Sequence, residues 1–243
     1  MWKKAAYRLK SRQNVKEFIP RIHSFPIPKN SPTFEKSYRQ MMMRKVAFMI
    51  ALVGLSQLLL AQDTSQMSTT LPYHQIPDYP ADYSNVNVAA RLIDGLGYRY
   101  YWATEGLRSE DLDYRPSEDS RSSGQTIAHV HGLSETILNT LLQKPNIRPV
   151  EPIDRTFEQQ RQLTLENLKK ASDLLRATAP EDLSNFNLIF QRGERKAEFP
   201  FWHLINGPIA DAIYHAGQIV AYRRASGNPM NPMVNVFMGK TKE

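Results

Sequence analysis

The sequence predicts an all-α fold, a four-helix bundle with one long crossover connection, preceded by a signal peptide. Three observations predict it. Four segments carry apolar residues at spacings of three and four, the repeat of a helix that buries one face. Each is bounded by a capping residue or by proline and glycine. Between the third and fourth lie eighteen residues, Glu181–Glu198, enough chain for a crossover.

The first helix spans Asn85–Thr104, with Val86, Ala89, Leu92, Ile93, Leu96, Tyr100 and Ala103 as its inward stripe. Gly95 and Gly97 lower its intrinsic stability and permit close packing. A loop with Pro116 follows, Glu105–Arg121. The second helix begins at Ser122 or Ser123, either of which serves as N-cap, and runs to about Gln143, before Pro145. Its stripe is Ile127, Val130, Ser134, Ile137, Leu138 and Leu141. The third covers Thr156–Thr178: Thr156 caps it, Glu158 and Gln159 occupy the first turn, and Pro180 stops it. Phe157, Leu165, Leu168, Ala171, Leu174 and Leu175 point inward. The fourth runs from about Pro200 to Ser226 and is halted by Gly227-Asn228-Pro229. Pro208 either kinks it or marks its true start, because proline removes a helical N–H. The Glu181–Glu198 segment is a crossover or a small hairpin turning at Arg192-Gly193. The tail, Asn231–Phe237, is expected to be extended and to pack back on the bundle.

The chain has 243 residues, 31 Lys+Arg against 24 Asp+Glu, and no cysteine. The lack of cysteine excludes disulfide scaffolds, thiolate metal sites and Cys nucleophiles. The net charge of +7 is a leader effect. Residues 1–45 hold twelve bases and two acids, whereas residues 46–243 hold 19 bases and 22 acids. No nucleic-acid partner is therefore expected for the folded part. Val46–Ala61 is an uncharged run of 16 behind Arg44-Lys45, the grammar of a signal peptide cleaved after Ala61. It is short for a spanning helix, which needs about 20 apolar residues; an uncleaved membrane anchor through residues 46–61 is the alternative, and a buried core helix the third reading. Met41, Met42 and Met43 stand where a signal peptide would begin, so residues 1–40 read as a basic extension, disordered or not translated. The expected organisation is extension 1–40, signal peptide 41–61, extended arm 62–84 and bundle 85–243, in an exported, periplasmic protein with no stable membrane insertion after cleavage.

Within the bundle the histidines are His129, His131, His203 and His215. On the fourth helix Asp211, His215, Gln218 and Tyr222 follow at spacings of four, three and four, one polar stripe beside the apolar face. A carboxylate and an imidazole one turn apart can reach one metal ion, although such pairs on helices are most often solvated surface pairs. His131 lies nearer the second helix's apolar stripe than His129; periodicity alone does not choose between them, and either can be a hydrogen-bonded core histidine. The aromatic run Tyr98, Tyr100, Tyr101, Trp102 reads as core packing before pocket wall, and Arg223 and Arg224 suit the C-terminal helix dipole. Nucleotide-binding glycine loops, H-E-x-x-H and G-x-S-x-G are missing from the sequence.

The run GQTIAHVHGLSE in the second helix and DAIYHAGQI in the fourth resemble the DinB/YfiT-like superfamily of four-helix-bundle metalloenzymes. The resemblance covers roughly residues 85–229. It implies one divalent ion, Zn, Ni, Fe or Mn, held by one His of the second helix and a His-x-x-x-His pair of the fourth ahead of Gly-Gln. The matching positions are His129, then Asp211 and His215 before Gly217-Gln218. Asp211 departs from the pattern, which puts the metal's identity and catalysis in question; a His–Asp–His set nevertheless resembles the two-His-one-carboxylate triad. Gln218, Tyr222 and His131 are then candidates for the shell behind the ligands. The activity implied is that of a metal-dependent hydrolase or transferase acting on a small molecule. Export argues against cytoplasmic thiol co-substrates and so favours hydrolysis. A non-catalytic metal-binding or structural bundle is the alternative, and a homodimer is left open.

Overall fold

A computed structural model describes residues 41–43 and 70–242. The chain divides into two compact units, Met1–Met67 and Ser68–Glu243. Of the first, Met41–Met43 are helical; the signal-peptide and extension readings otherwise lie outside the described residues. No helix among the described residues is long and apolar enough to cross a membrane.

The second unit is mostly helical. Its four long helices are α1 (Asn85–Thr104), α2 (Ser123–Leu141), α3 (Phe157–Arg176) and α4 (Ala210–Ala225). Side-chain caps set two of the starts. Ser122 Oγ accepts from Gln125 N at 3.2 Å while Gln125 Oε1 accepts from Ser122 N at 3.0 Å. Thr156 and Gln159 repeat this reciprocal pair at the start of α3. Each such cap satisfies two N–H groups that the helix leaves orphaned.

α1 and α2 each lie against both α3 and α4. The shared core is Ile93, Leu96 and Tyr100 of α1, Ile127, Val130 and Ile137 of α2, Leu165, Leu168 and Leu175 of α3, and Ile209, Ala212 and Ile219 at α4, all almost fully buried. Leu92 departs from its expected inward place. It is exposed beside Val88, one flank away from Ile93, and faces a groove that Trp202 also lines.

The path into α4 has an added feature. A helical turn, Trp202–Leu204, leads into a π-helical turn, Ile205–Ile209, that contains Pro208. Pro208 has no N–H to return to Leu204, and the wider turn takes up the defect, closing with Ala210 N donating to Ile205 O.

An all-α reading is corrected by two small sheets. β1 (Asn146–Ile147) runs parallel to β2 (Leu188–Arg192), which forms a hairpin with β3 (Arg195–Phe199). The hairpin turns at Gly193, whose φ of 59° is the left-handed conformation glycine adopts freely. The tail pairs β4 (Val234–Asn235) with β5 (Lys240–Thr241), and Thr241 Oγ1 lies 2.9 Å from Tyr98 Oη on α1.

The segment before α1 is a strap. Tyr73 is buried against α1 and donates to Asp94 Oδ1 at 3.2 Å. Trp102 Nε1 donates to His74 O at 3.1 Å and Arg91 to Pro77 O at 2.7 Å. A Cβ at Gly97 would stand 2.4 Å from the Tyr73 ring, so glycine is required for this approach. Burial and the neighbouring Asp94 carboxylate push the Tyr73 hydroxyl far above the usual tyrosine range.

Candidate metal centre

α2 and α4 pack against each other. α2 contributes His129, and α4 contributes Asp211 and, one turn later, His215. Asp211 sits between the two imidazoles. Its Oδ2 is 3.1 Å from His129 Nε2 and its Oδ1 is 3.3 Å from His215 Nε2. The two rings meet edge to face, centroids 4.7 Å apart at 88°. One donor atom from each residue lies within 4.8 Å of the others, so the three can hold one metal ion.

The distances suit that role. A tetrahedral ion with bonds of about 2.0–2.2 Å keeps its donors roughly 3.3–3.6 Å apart. Small side-chain adjustments bring the three donors to that spacing. The site is open to solvent, since the side chains of His129 and Asp211 are 32% and 42% exposed while His215 is nearly buried. Three protein donors leave coordination positions for water or substrate.

Gln218 fixes the chemistry of His215. Gln218 Nε2 donates to Tyr214 Oη at 3.1 Å, so its Oε1 faces His215 Nδ1 at 2.6 Å and accepts that N–H. With the proton on Nδ1, Nε2 keeps its lone pair for a cation. This is the arrangement in which a hydrogen-bond acceptor behind a histidine sets its tautomer and raises its basicity. Tyr214 was absent from the sequence reading; its signal was the i,i+4 spacing to Gln218.

Two candidates for this supporting shell lie elsewhere. Tyr222 turns to the ring of Tyr114, centroids 5.9 Å apart. His131 faces α3: Nδ1 lies 3.1 Å from Thr164 Oγ1, and Nε2 lies 3.1 Å from Arg155 Nη1 and 3.3 Å from Glu135 Oε1. Two residues along a helix turn the side chain through about 200°, which sends His129 and His131 to different neighbours. His131 and Arg155 together hold the Glu135 carboxyl below its ordinary range.

Other polar residues are structural. Arg223, buried, donates through Nη1 to the carbonyls of Trp102 (3.1 Å), Ala103 (3.1 Å) and Glu105 (2.9 Å), which α1 leaves without helical partners. Asp94 is fully buried on α1 and joins Arg176, Ser172 and Tyr73. Tyr98, Tyr100 and Trp102 are core.

Fold and site together define a mostly helical protein with a three-donor cluster able to hold a cation. No protein-family model matches the chain, and no curated protein matches it. Among solved structures, the chain is similar to the crystal structure of a DinB-like protein, YjoA, from Bacillus subtilis, with 18% identity, 62% of this chain and 98% of that chain covered, and a TM-score of 0.43.

Proposed function

We propose that this chain is an exported, metal-binding four-helix bundle of the DinB-like kind that acts on a small molecule as a metal-dependent hydrolase or transferase, with hydrolysis preferred. The observation that carries the proposal is the convergence of His129, Asp211 and His215 donors from two packed helices. A divalent ion held there would supply Lewis acidity, polarising a substrate oxygen or lowering the pKa of water. The residues divide the remaining work. His129 and His215 present Nε2, Asp211 supplies the charge, Gln218 holds the His215 proton on Nδ1, and the exposed side of the cluster admits a substrate.

Export rests on the pattern of residues 41–61, with a periplasmic destination and membrane attachment through 46–61 as the competing outcome. N-terminal sequencing of secreted protein tests it, with Gln62 as the expected first residue. No nucleic-acid partner is proposed.

Asp211 favours a second reading, a non-catalytic bundle. Its carboxylate already lies beside both imidazoles, so the three side chains can pair with one another rather than serve a reaction. Elemental analysis of the purified chain beside His215→Ala separates the readings from failure of the site. One ion per wild-type chain, lost in the variant, with an exchangeable water on the ion supports the enzyme. A stoichiometric ion with no exchangeable water supports the non-catalytic bundle. Metal missing from both proteins, with equal melting temperatures, removes the site.

A further inference from the structure

A second cleft opens on another flank of α2, between that helix and the loop from Ile147 to Arg155. Its volume is about 400 Å³, within the range of small-ligand pockets. Ile147, Val150 and Ile153 line it and are 55%, 58% and 62% exposed. Three large aliphatic side chains around one concavity form a wall that no described residue covers.

The other end of the cleft is charged and ordered. Thr164 donates its hydroxyl proton to Gln160 O at 2.6 Å, so it must accept from His131 Nδ1–H. His131 Nε2 in turn faces Arg155 Nη1 at 3.1 Å and Glu135 Oε1 at 3.3 Å. The Arg155 guanidinium thus stands beside Nε2, where a metal ion would have to sit. This placement leaves the other edge of the guanidinium free. Among the described residues Arg155 Nε and Nη2 make no hydrogen bond, and the nearest acid to Nη2 is Glu135 Oε1 at 3.7 Å. A planar fork of two N–H donors matches a carboxylate. Glu135 in turn has Oε2 without a partner among the described residues.

We infer that this cleft binds an apolar α-amino acid, its carboxylate on the Arg155 fork, its ammonium at Glu135 and its side chain against Ile147, Val150 and Ile153. Opposite charges a few ångströms apart at one end of an aliphatic slot suit a zwitterion. Glu135 disfavours polyanions such as phosphate by like-charge repulsion, and Arg155 disfavours a lone amine. The inference is independent of the metal centre.

The test is calorimetric titration of the full chain, with a chelator present, using L-leucine, isocaproate (leucine without its amino group) and isoamylamine (leucine without its carboxylate). Leucine should bind saturably at one site, and each analogue at least about tenfold more weakly, as loss of a charge-assisted pair demands. Arg155→Gln should reduce leucine affinity to that of isoamylamine. Glu135→Gln should weaken leucine and, by removing a like charge, leave isocaproate binding at least as tight. His215→Ala should bind leucine like wild type, whatever its metal content. Three equal affinities in the wild type, or no saturable leucine binding, overturn the inference even if Arg155→Gln fails to fold. Loss of leucine binding in His215→Ala would place the ligand at the three-donor cluster and overturn it too.

Discussion

His129 and His215, 86 positions apart, meet edge to face with their Nε2 atoms turned to opposite oxygens of Asp211. Two helices thus bring two ring nitrogens and one carboxylate to a single point.

The first prediction concerns stability. A ligand that binds only the folded state adds about 2.7 kcal/mol at a hundred times its dissociation constant. Zinc or nickel at that excess should therefore raise the melting temperature of the wild type and leave His129→Ala unmoved. Gln218→Ala should still bind, with affinity roughly ten- to hundredfold lower, because His215 loses the acceptor that sets its tautomer. Competitive metal titration reads both.

A second prediction follows from Arg223. It donates one nitrogen's protons to three carbonyls at the end of α1 and reaches Asn228 O through Nε at 2.7 Å. Arg223→Met should cost about 3 kcal/mol, the scale of charged hydrogen bonds to buried acceptors. Arg223→Lys should recover only part of this, since an ammonium has no fork. Urea denaturation measures both variants, and a Lys variant as stable as the wild type would contradict the fork argument.

Acid sensitivity is the third. Arg108 foremost, helped by hydrogen bonds from Ser226 and Asn228, holds the Asp111 carboxyl far below the ordinary carboxylate range. A depressed folded-state pKa adds stability that is complete above the unfolded value of about 3.9 and is lost as pH falls toward the folded one. Denaturation midpoints should fall below about pH 4 in the wild type. Asp111→Asn should be less stable at neutral pH and fall less steeply in acid.

The fourth concerns the strap. Gly97→Ala places a methyl group against the Tyr73 ring and should destabilise the protein by about 1–3 kcal/mol, the usual cost of overpacking. Gly217→Ala, in open space on α4, should be neutral or slightly stabilising. If the two variants melt together, Tyr73 is not seated where the structure places it.

Much of the fold was legible because helix signals are local. The α1 bounds, Asn85–Thr104, and the caps Ser122 and Thr156 fall where the apolar period and capping residues place them. The sheet was only half legible. Gly193 advertised a turn, but β1 is two residues long and pairs with a strand some forty positions away, which leaves no local pattern. The metal donors on α4 were visible as a stripe, whereas choosing His129 over His131 needed the family resemblance, since both flank the same apolar face. The Arg155 cluster was invisible because its members come from a helix, a loop and a third element, with no shared period. Asp94 was hidden because a charged residue on the inner side of an amphipathic helix reads as an exception until Arg176 and Ser172 arrive from α3.

The wide turn at Ile205–Ile209 spends one more residue than an α-helical turn does. Everything beyond Pro208 is thereby rotated by about 100° relative to the phase set at Trp202. The azimuth of Asp211 and His215, and hence which neighbour they confront, is decided by that surplus residue. Removing it to regularise the backbone would point both side chains away from His129 without altering either one.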